Sequence, residues 1–146
     1  MYYGADTGWS AAEAERAFGR AVRARRRDSL LRRVLRRCAE CARLCLHDER
    51  SLLRGGGARR GVREIPLDAI TGTVEPHRAI QFDNEFRPSP LNRGRWLNVW
   101  LAEQRGAVLP PISVVPVGDG YAIRDGHHRV SVARARGGQS ITAIVG

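Results

Sequence analysis

The fold is decided by residues 112–137, ISVVPVGDGYAIRDGHHRVSVARARG. The segment 112–117 predicts a strand, Gly118-Asp119-Gly120 is typical of a tight turn, and residues 121–124 predict the returning strand of a hairpin. A helix is expected directly afterwards, over about 127–136, and it should end at Gly137. A last strand is predicted at 141–145. Strand, glycine turn and helix therefore follow one another at the string DGHHR, residues 125–129.

This junction has the features of an anion site. The first N–H groups of a helix lack partners within the helix, and the helix dipole favours negative charge at that end. Arg129 adds a planar fork of hydrogen-bond donors. The alternative is a purely structural turn, in which Asp125 caps the helix, Gly126 permits the bend and His128 packs in the interior.

Upstream, residues 64–67 predict a short strand that enters one helical turn at 67–70. Residues 71–92 are expected to be irregular, and a helix is expected over about 93–105. Trp96 and Trp100 fall one turn apart on that helix. They are interpreted either as core anchors or as a surface on which a base stacks. These elements together predict a mixed α+β (α/β) fold.

The first part of the chain predicts helices at about 11–26 and 29–54. In the first, Ser10 and Glu13 suit a capping box, and Ala14, Phe18 and Val22 form an apolar stripe. In the second, leucine and cysteine side chains should form a buried stripe opposite a basic face. A glycine run near 55–57 should end this helix, which predicts a basic helical arm at 1–61 and a separate domain at 62–146.

The net charge is +10, and every basic residue is arginine. Residues 1–64 contain 16 arginines and 8 acidic residues, whereas residues 65–146 contain 9 arginines and 7 acidic residues. Candidate nucleic-acid contacts are therefore Arg32, Arg33, Arg36 and Arg37 on the predicted second helix. The alternative is a solvated basic face that reflects the arginine-rich composition.

Neither a membrane-spanning segment nor a metal site is expected. The sequence has no apolar stretch near the ~20 residues that a membrane span needs, and no leader is evident, so we expect a cytoplasmic protein without a membrane partner. Cys38, Cys41 and Cys45 would share a helix face, but the outer two would lie about 10 Å apart along the axis. We therefore expect small apolar side chains in the stripe and no metal site.

The element order from residue 64 onward and the string DGHHRVSVAR at 125–134 resemble the ParB/sulfiredoxin-like superfamily. The similarity is greatest to stand-alone bacterial members that carry segments like Gly72-Thr73-Val74, Phe82-Asp83 and Arg95-Trp96. The resemblance implies a small mixed sheet with helices, preceded here by the helical arm. It also implies that Gly126, His128, Arg129 and Ser131 contact phosphate, and that Arg87 approaches from the opposite side.

The chain departs from the better-known members at the residues that react. His127 stands where sulfiredoxin has its reactive cysteine, so sulfinic-acid repair is not expected. His127 and His128 replace the glutamate and first arginine of the GERR box of ParB, which leaves ParB-type CTP hydrolysis without its usual residues. His127 and Asp125 remain the candidate catalytic residues, for nucleotide hydrolysis, phosphotransfer or nuclease chemistry.

The functional expectation is a domain that binds a nucleoside phosphate, CTP or ATP/ADP, together with Mg²⁺. The alternative is a DNA-associated protein, or a ParB-like nuclease, whose DGHHR loop grips backbone phosphate. A second copy of the chain is a further candidate partner, as a homodimer.

Overall fold

The computed structural model of the protein describes residues 7–35, 43–53 and 60–146. In chain order the elements are α1 (Thr7–Val34), β1 (Cys45–Leu46), α2 (Glu49–Leu53), β2 (Gly61–Pro66), a 3-10 turn (Leu67–Ala69), β3 (Ile70–Thr73), α3 (Pro76–Ala79), a second 3-10 turn (Pro90–Asn92), α4 (Arg93–Gln104), β4 (Ile112–Val117), β5 (Gly120–Asp125), α5 (His127–Ala135) and β6 (Ser140–Val145). The fold is α+β, with a mixed sheet and a long N-terminal helix.

The sheet has the strand order β1-β3-β5-β4-β6-β2. β4 and β5 form the antiparallel hairpin, and β3 runs parallel to β5 with Thr73 opposite Ile123. Because β3 and β5 are parallel, their carboxyl ends lie at the same edge of the sheet. That edge is where α5 begins, so Thr73 and the start of α5 are brought together by the topology.

Helix α5 lies between the sheet and the other long helices. Val130 packs into the sheet core, whereas Val132 joins a second cluster with Phe18 of α1 and Trp96 and Trp100 of α4. The ring centroids of Phe18 and Trp96 are 5.5 Å apart, and those of the two tryptophans are 5.4 Å apart. Both tryptophans are buried, which confirms their interpretation as core anchors.

From residue 93 onward the predicted elements are confirmed within one or two residues, whereas the strand predicted at 64–67 is β2 and begins three residues earlier, at Gly61. The helix expected at 93–105 is α4, the hairpin is β4 and β5, and the last helix and strand are α5 and β6. These segments carry strong local signals, such as the valine- and isoleucine-rich run of β4 and the turn at Gly118-Asp119-Gly120. Local pattern and tertiary packing agree here.

The predicted division of the N-terminal region into helices at 11–26 and 29–54 is wrong. α1 begins by Thr7 and continues to Val34, so Ser10 lies inside the helix and cannot cap it. Arginine has a high helix propensity, and the run at 25–27 therefore continues the helix. Asp28 does not start a new helix but pairs with Arg87 and Arg32.

The apolar stripe expected on the second helix is not buried. Leu30, Leu31, Val34 and Leu35 are each more than half exposed. Cys45 lies in strand β1 and is exposed, which contradicts its expected place in a buried helical stripe. This segment is a strand because it pairs with β3, and such long-range pairing overrides the helical spacing of the apolar residues. Cys38 and Cys41 lie outside the described residues.

Strand β3 falls in a region that was expected to be irregular. It has only four residues, and Gly72 lies in its middle. A Cβ at Gly72 would lie 2.4 Å from the carbonyl oxygen of Cys45, so glycine is needed for β1 to approach. β1 and α2 belong to the predicted arm at 1–61, yet β1 pairs directly with the sheet of the following segment.

Candidate functional site: the N-terminus of α5

Gly126 forms the turn between β5 and α5. Its φ of 112° and ψ of 25° lie in a region that side-chain-bearing residues rarely adopt. A Cβ at this position would lie 2.4 Å from Cγ2 of Ile112, a fully buried residue of β4. The backbone of this turn therefore lies directly against the hairpin, and only glycine fits.

The N-terminus of α5 has no side-chain cap. Gly126 is the N-cap residue, and the first turn contains no acidic residue. Asp125 is exposed and lies 3.5 Å from a terminal nitrogen of Arg129, so it does not cap the helix as the structural alternative required. The helix end therefore keeps its positive partial charge and its unpartnered N–H groups.

His127 points into the interior. Its Nε2 lies 2.6 Å from the hydroxyl oxygen of Thr73, which donates its own proton to the carbonyl of Ile123. The imidazole then donates from Nε2, because the single hydroxyl proton is already used. Burial, with smaller contributions from Arg78 and His128, lowers the pKa of His127 to about 3. His127 is thus a neutral group that ties the start of α5 to β3.

His128 is also buried, at 7% exposure, but its polar atoms are not satisfied. Its Nε2 is buried and has no hydrogen-bond partner among the residues that the structure describes. Burial, with smaller contributions from the positive charges of Arg78 and Arg95, lowers the pKa of His128 to about 4. His128 is neutral at physiological pH and holds a ring nitrogen without a partner.

Phe82 fixes the two imidazole rings. It stacks on His127 with centroids 6.0 Å apart, and it meets His128 edge-on at 5.2 Å. Phe82 is itself fully buried. The rings are therefore held by packing as well as by the Thr73 hydrogen bond, which restricts their rotation.

Arg129 lies at the rim of this site. Its guanidinium donates to the carbonyl oxygen of Pro110 and lies near Asp125, and 14% of its side chain is exposed. It remains the first-turn cation, as expected from the sequence. Any anion at the end of α5 would compete with the Pro110 carbonyl and the Asp125 carboxylate for its donors.

Two expected phosphate contacts lie elsewhere. Ser131 is buried and accepts a 2.8 Å hydrogen bond from Nε1 of Trp96. Arg87 donates to Asp83 at 2.7 Å and to Asp28 at 3.0 Å. The structure thus brings together Gly126, His128 and Arg129 but gives Ser131 and Arg87 protein partners away from the end of α5.

The candidate nucleic-acid arginines also lie in different surroundings from one another. The side chain of Arg32 is only 20% exposed, with Nε 3.6 Å from Asp28, so it faces the protein and not the solvent. Arg33 is exposed on α1. Arg36 and Arg37 lie outside the described residues, so the basic face remains a prediction.

Sequence reasoning did not identify the groups that surround the imidazoles. Thr73, Phe82 and Arg95 each belong to a short segment that carried the family resemblance, and that was the available signal. Arg78, by contrast, is a cation in a predicted loop with no pattern to single it out. Within the described parts of the chain, no group of three or more histidine, cysteine or acidic side chains is placed to hold a metal ion.

No protein-family model matches the sequence, and no curated protein matches it. Among the helices that the structure describes, none is long and apolar enough to cross a membrane.

Proposed function

We propose that the N-terminus of α5 binds the phosphate of a nucleoside phosphate. The observation that carries the proposal is the Nε2 atom of His128, which is buried at the uncapped N-terminus of α5 and lacks a partner among the residues that the structure describes. Buried polar atoms are normally hydrogen-bonded, and an exception calls for an explanation. A bound phosphate oxygen would accept from Nε2 and from the free N–H groups of the first turn.

The charges around the site favour an anion. Arg78 and Arg95 are the charged groups that lower the pKa of His128, after burial itself. Their positive charge makes a protonated imidazole unfavourable and a bound anion favourable. A phosphate would therefore be held by neutral hydrogen bonds at the helix end and by the field of the neighbouring guanidinium groups.

Each residue of the site then has a distinct role. Gly126 lets the backbone bend without a side chain in the way, His128 donates from Nε2, and Arg129 supplies the charged contact. A nucleotide would carry Mg²⁺ on its own phosphate oxygens, and the exposed Asp125 is the carboxylate that adjoins the site.

His127 supports binding more readily than catalysis. Its Nε2 is engaged with Thr73, its ring is stacked on Phe82, and its pKa is lowered to about 3. A general base should have a pKa near the working pH and reach the proton that it removes. We therefore propose that His127 positions the first turn of α5, and that Asp125 is the remaining candidate for a chemical step.

The resemblance to the ParB/sulfiredoxin-like superfamily supports the same proposal. The segments with Thr73, Phe82 and Arg95 all contribute to the surroundings of His127 and His128. Three of the segments that carried the resemblance therefore meet near the N-terminus of α5, where the superfamily would hold phosphate.

Calorimetric titration with CTP, ATP and ADP in the presence of Mg²⁺ tests the proposal. We expect at least one nucleotide to bind, and Arg129→Ala to weaken that binding by about tenfold or more, because a hydrogen bond to a charged group contributes about 1.5–3 kcal/mol. The matched control is Arg63→Ala, which removes an exposed arginine of β2. It should leave the affinity unchanged.

Titrating the wild type and the same variants with DNA tests the alternative function. If no nucleotide gives heat while DNA binds in a strongly salt-dependent manner, the site grips backbone phosphate and the nucleotide proposal is wrong. If Arg33→Ala, at an exposed arginine of α1, weakens DNA binding while Arg129→Ala does not, the contact lies in the N-terminal arm.

A further inference from the structure

A cavity of about 750 Å³ lies away from the N-terminus of α5. It is bounded by the middle of α1, by the loop at 84–87 and by the last turn of α5. None of the residues 125–129 lines it. The cavity is therefore separate from the site described above, and its size is that of a small-molecule pocket.

Arginine side chains dominate the polar lining. Four of them face the cavity, and three acidic residues accompany them: Arg20, Arg32, Arg87 and Arg134, with Asp28, Asp68 and Glu85. The lining thus has a net charge of +1. Arg87 is held by Asp28 and Asp83, and Arg134 by Glu85, so these two guanidinium groups are fixed in position.

Two donors in this lining have no acceptor. The Nε atoms of Arg32 and Arg134 are buried and make no hydrogen bond within residues 7–35, 43–53 and 60–146. Arg134 already uses its terminal nitrogens on Glu85 and on the carbonyl of Leu67. Arg32 Nε lies 3.6 Å from Asp28, too far for a hydrogen bond. Both side chains line the cavity, so their guanidinium groups are the donors that an anion there would meet.

Apart from Asn84 and Ser131, the remainder of the lining is apolar. Ala17 and Ala21 come from α1, Leu67 from the 3-10 turn, and Phe86 from the loop. Phe86 has a φ of 58°, which is rare for a bulky residue, and its backbone conformation turns the loop around a buried ring. The guanidinium of Arg134 lies over this ring, 5.5 Å from its centroid. The cavity thus combines fixed cations with an apolar floor.

We propose that this cavity is a second ligand site, which takes a small organic anion: a phosphomonoester or carboxylate on an apolar body about the size of one ring. The anionic group would accept hydrogen bonds from the guanidinium groups of Arg32 and Arg134 and would face Arg20. The apolar body would lie against the alanines of α1 and Phe86. This proposal does not depend on nucleotide binding at the end of α5.

The test is an NMR titration with phenyl phosphate as the probe, with benzoate as the carboxylate and inorganic phosphate as the bare anion. We expect phenyl phosphate or benzoate to shift the backbone amide signals of residues 84–87 and 134–138 in a saturable manner. Inorganic phosphate should shift them less, because it lacks the apolar body. Absence of any saturable shift at these residues overturns the proposal.

Two variants address the cavity directly. Ala135→Trp places a bulky ring at an exposed lining position without disturbing the core, and Arg134→Gln removes a guanidinium. Each should weaken binding of the organic anions by about tenfold or more, because Ala135→Trp fills the space of the ligand and Arg134→Gln removes a contact to it. Asn98→Trp, at an exposed position of α4 outside the lining, is the control for the added ring and should leave binding within about twofold.

Arg129→Ala separates this proposal from the proposed function. It should leave binding at the cavity within about twofold, even if it abolishes nucleotide binding at α5. If the probes shift only residues 126–129, or if Ala135→Trp binds them as the wild type does, the cavity proposal is wrong whatever the nucleotide titration shows.

Discussion

The variant Gly126→Ala is expected to lose about 3 kcal/mol of unfolding free energy. A left-handed backbone costs a residue with a side chain about 1–2 kcal/mol, and overpacking in a filled core costs about 1–3 kcal/mol. Both penalties apply, because the φ of Gly126 is 112° and its Cβ would lie 2.4 Å from the buried Ile112. Urea unfolding followed by circular dichroism measures the difference.

Gly137→Ala is the matched control for this effect. Gly137 follows the other end of α5 with a φ of 75°, but nothing lies within 4 Å of the position of its Cβ. It should therefore lose only the conformational penalty, about 1 kcal/mol. Equal losses for the two variants would show that contact with Ile112 does not constrain the turn.

Acidification should destabilise the protein steeply, starting near neutral pH. His127 and His128 have pKa values lowered to about 3 and about 4, whereas an imidazole in the unfolded chain titrates near 6.5. Below about pH 6.5 the unfolded chain takes up protons that the folded protein does not, so stability falls as pH falls. Each imidazole contributes about 1.4 kcal/mol per pH unit, and the pair about 3 kcal/mol per unit.

The variant His128→Gln isolates one of the two contributions. Between pH 6.5 and 5 the slope of unfolding free energy against pH should fall to about half the wild-type slope, because a single imidazole remains. His77→Gln, at an exposed histidine of α3, should keep the wild-type slope. An unchanged slope in His128→Gln would mean that this imidazole is not buried in its neutral form.

The second half of the fold is predictable because its signals are local. The hairpin, the glycine that ends α5 and the apolar spacing of α4 all lie within short windows of sequence. By contrast, β1 has two residues and becomes a strand only through β3, which in turn depends on Gly72 for close approach. The length of α1 depends likewise on contacts such as Asp28 with Arg87, which are 59 residues apart.

The candidate site likewise has residues that the local sequence predicts and residues whose surroundings depend on long-range contacts. Gly126, His128 and Arg129 could be selected from the sequence because they lie together at the predicted start of a helix, where an anion is favoured. The sequence does not show that both histidines are buried, whereas in the structure burial and nearby arginines lower their pKa values and keep them neutral. Ser131 and Arg87 were placed at the phosphate by resemblance, yet the packing of Trp96 and the position of Asp28 engage them elsewhere.

The most direct test of phosphate binding at α5 is the ¹⁵N NMR signal of Nε2 of His128 at pH 7, recorded as CTP, ATP or ADP with Mg²⁺ is added. We predict that this signal moves in step with nucleotide occupancy, because the buried nitrogen gains a phosphate acceptor, while the exposed His77 signal stays in place. A His128 signal that does not move at saturating concentrations of all three nucleotides would contradict the account.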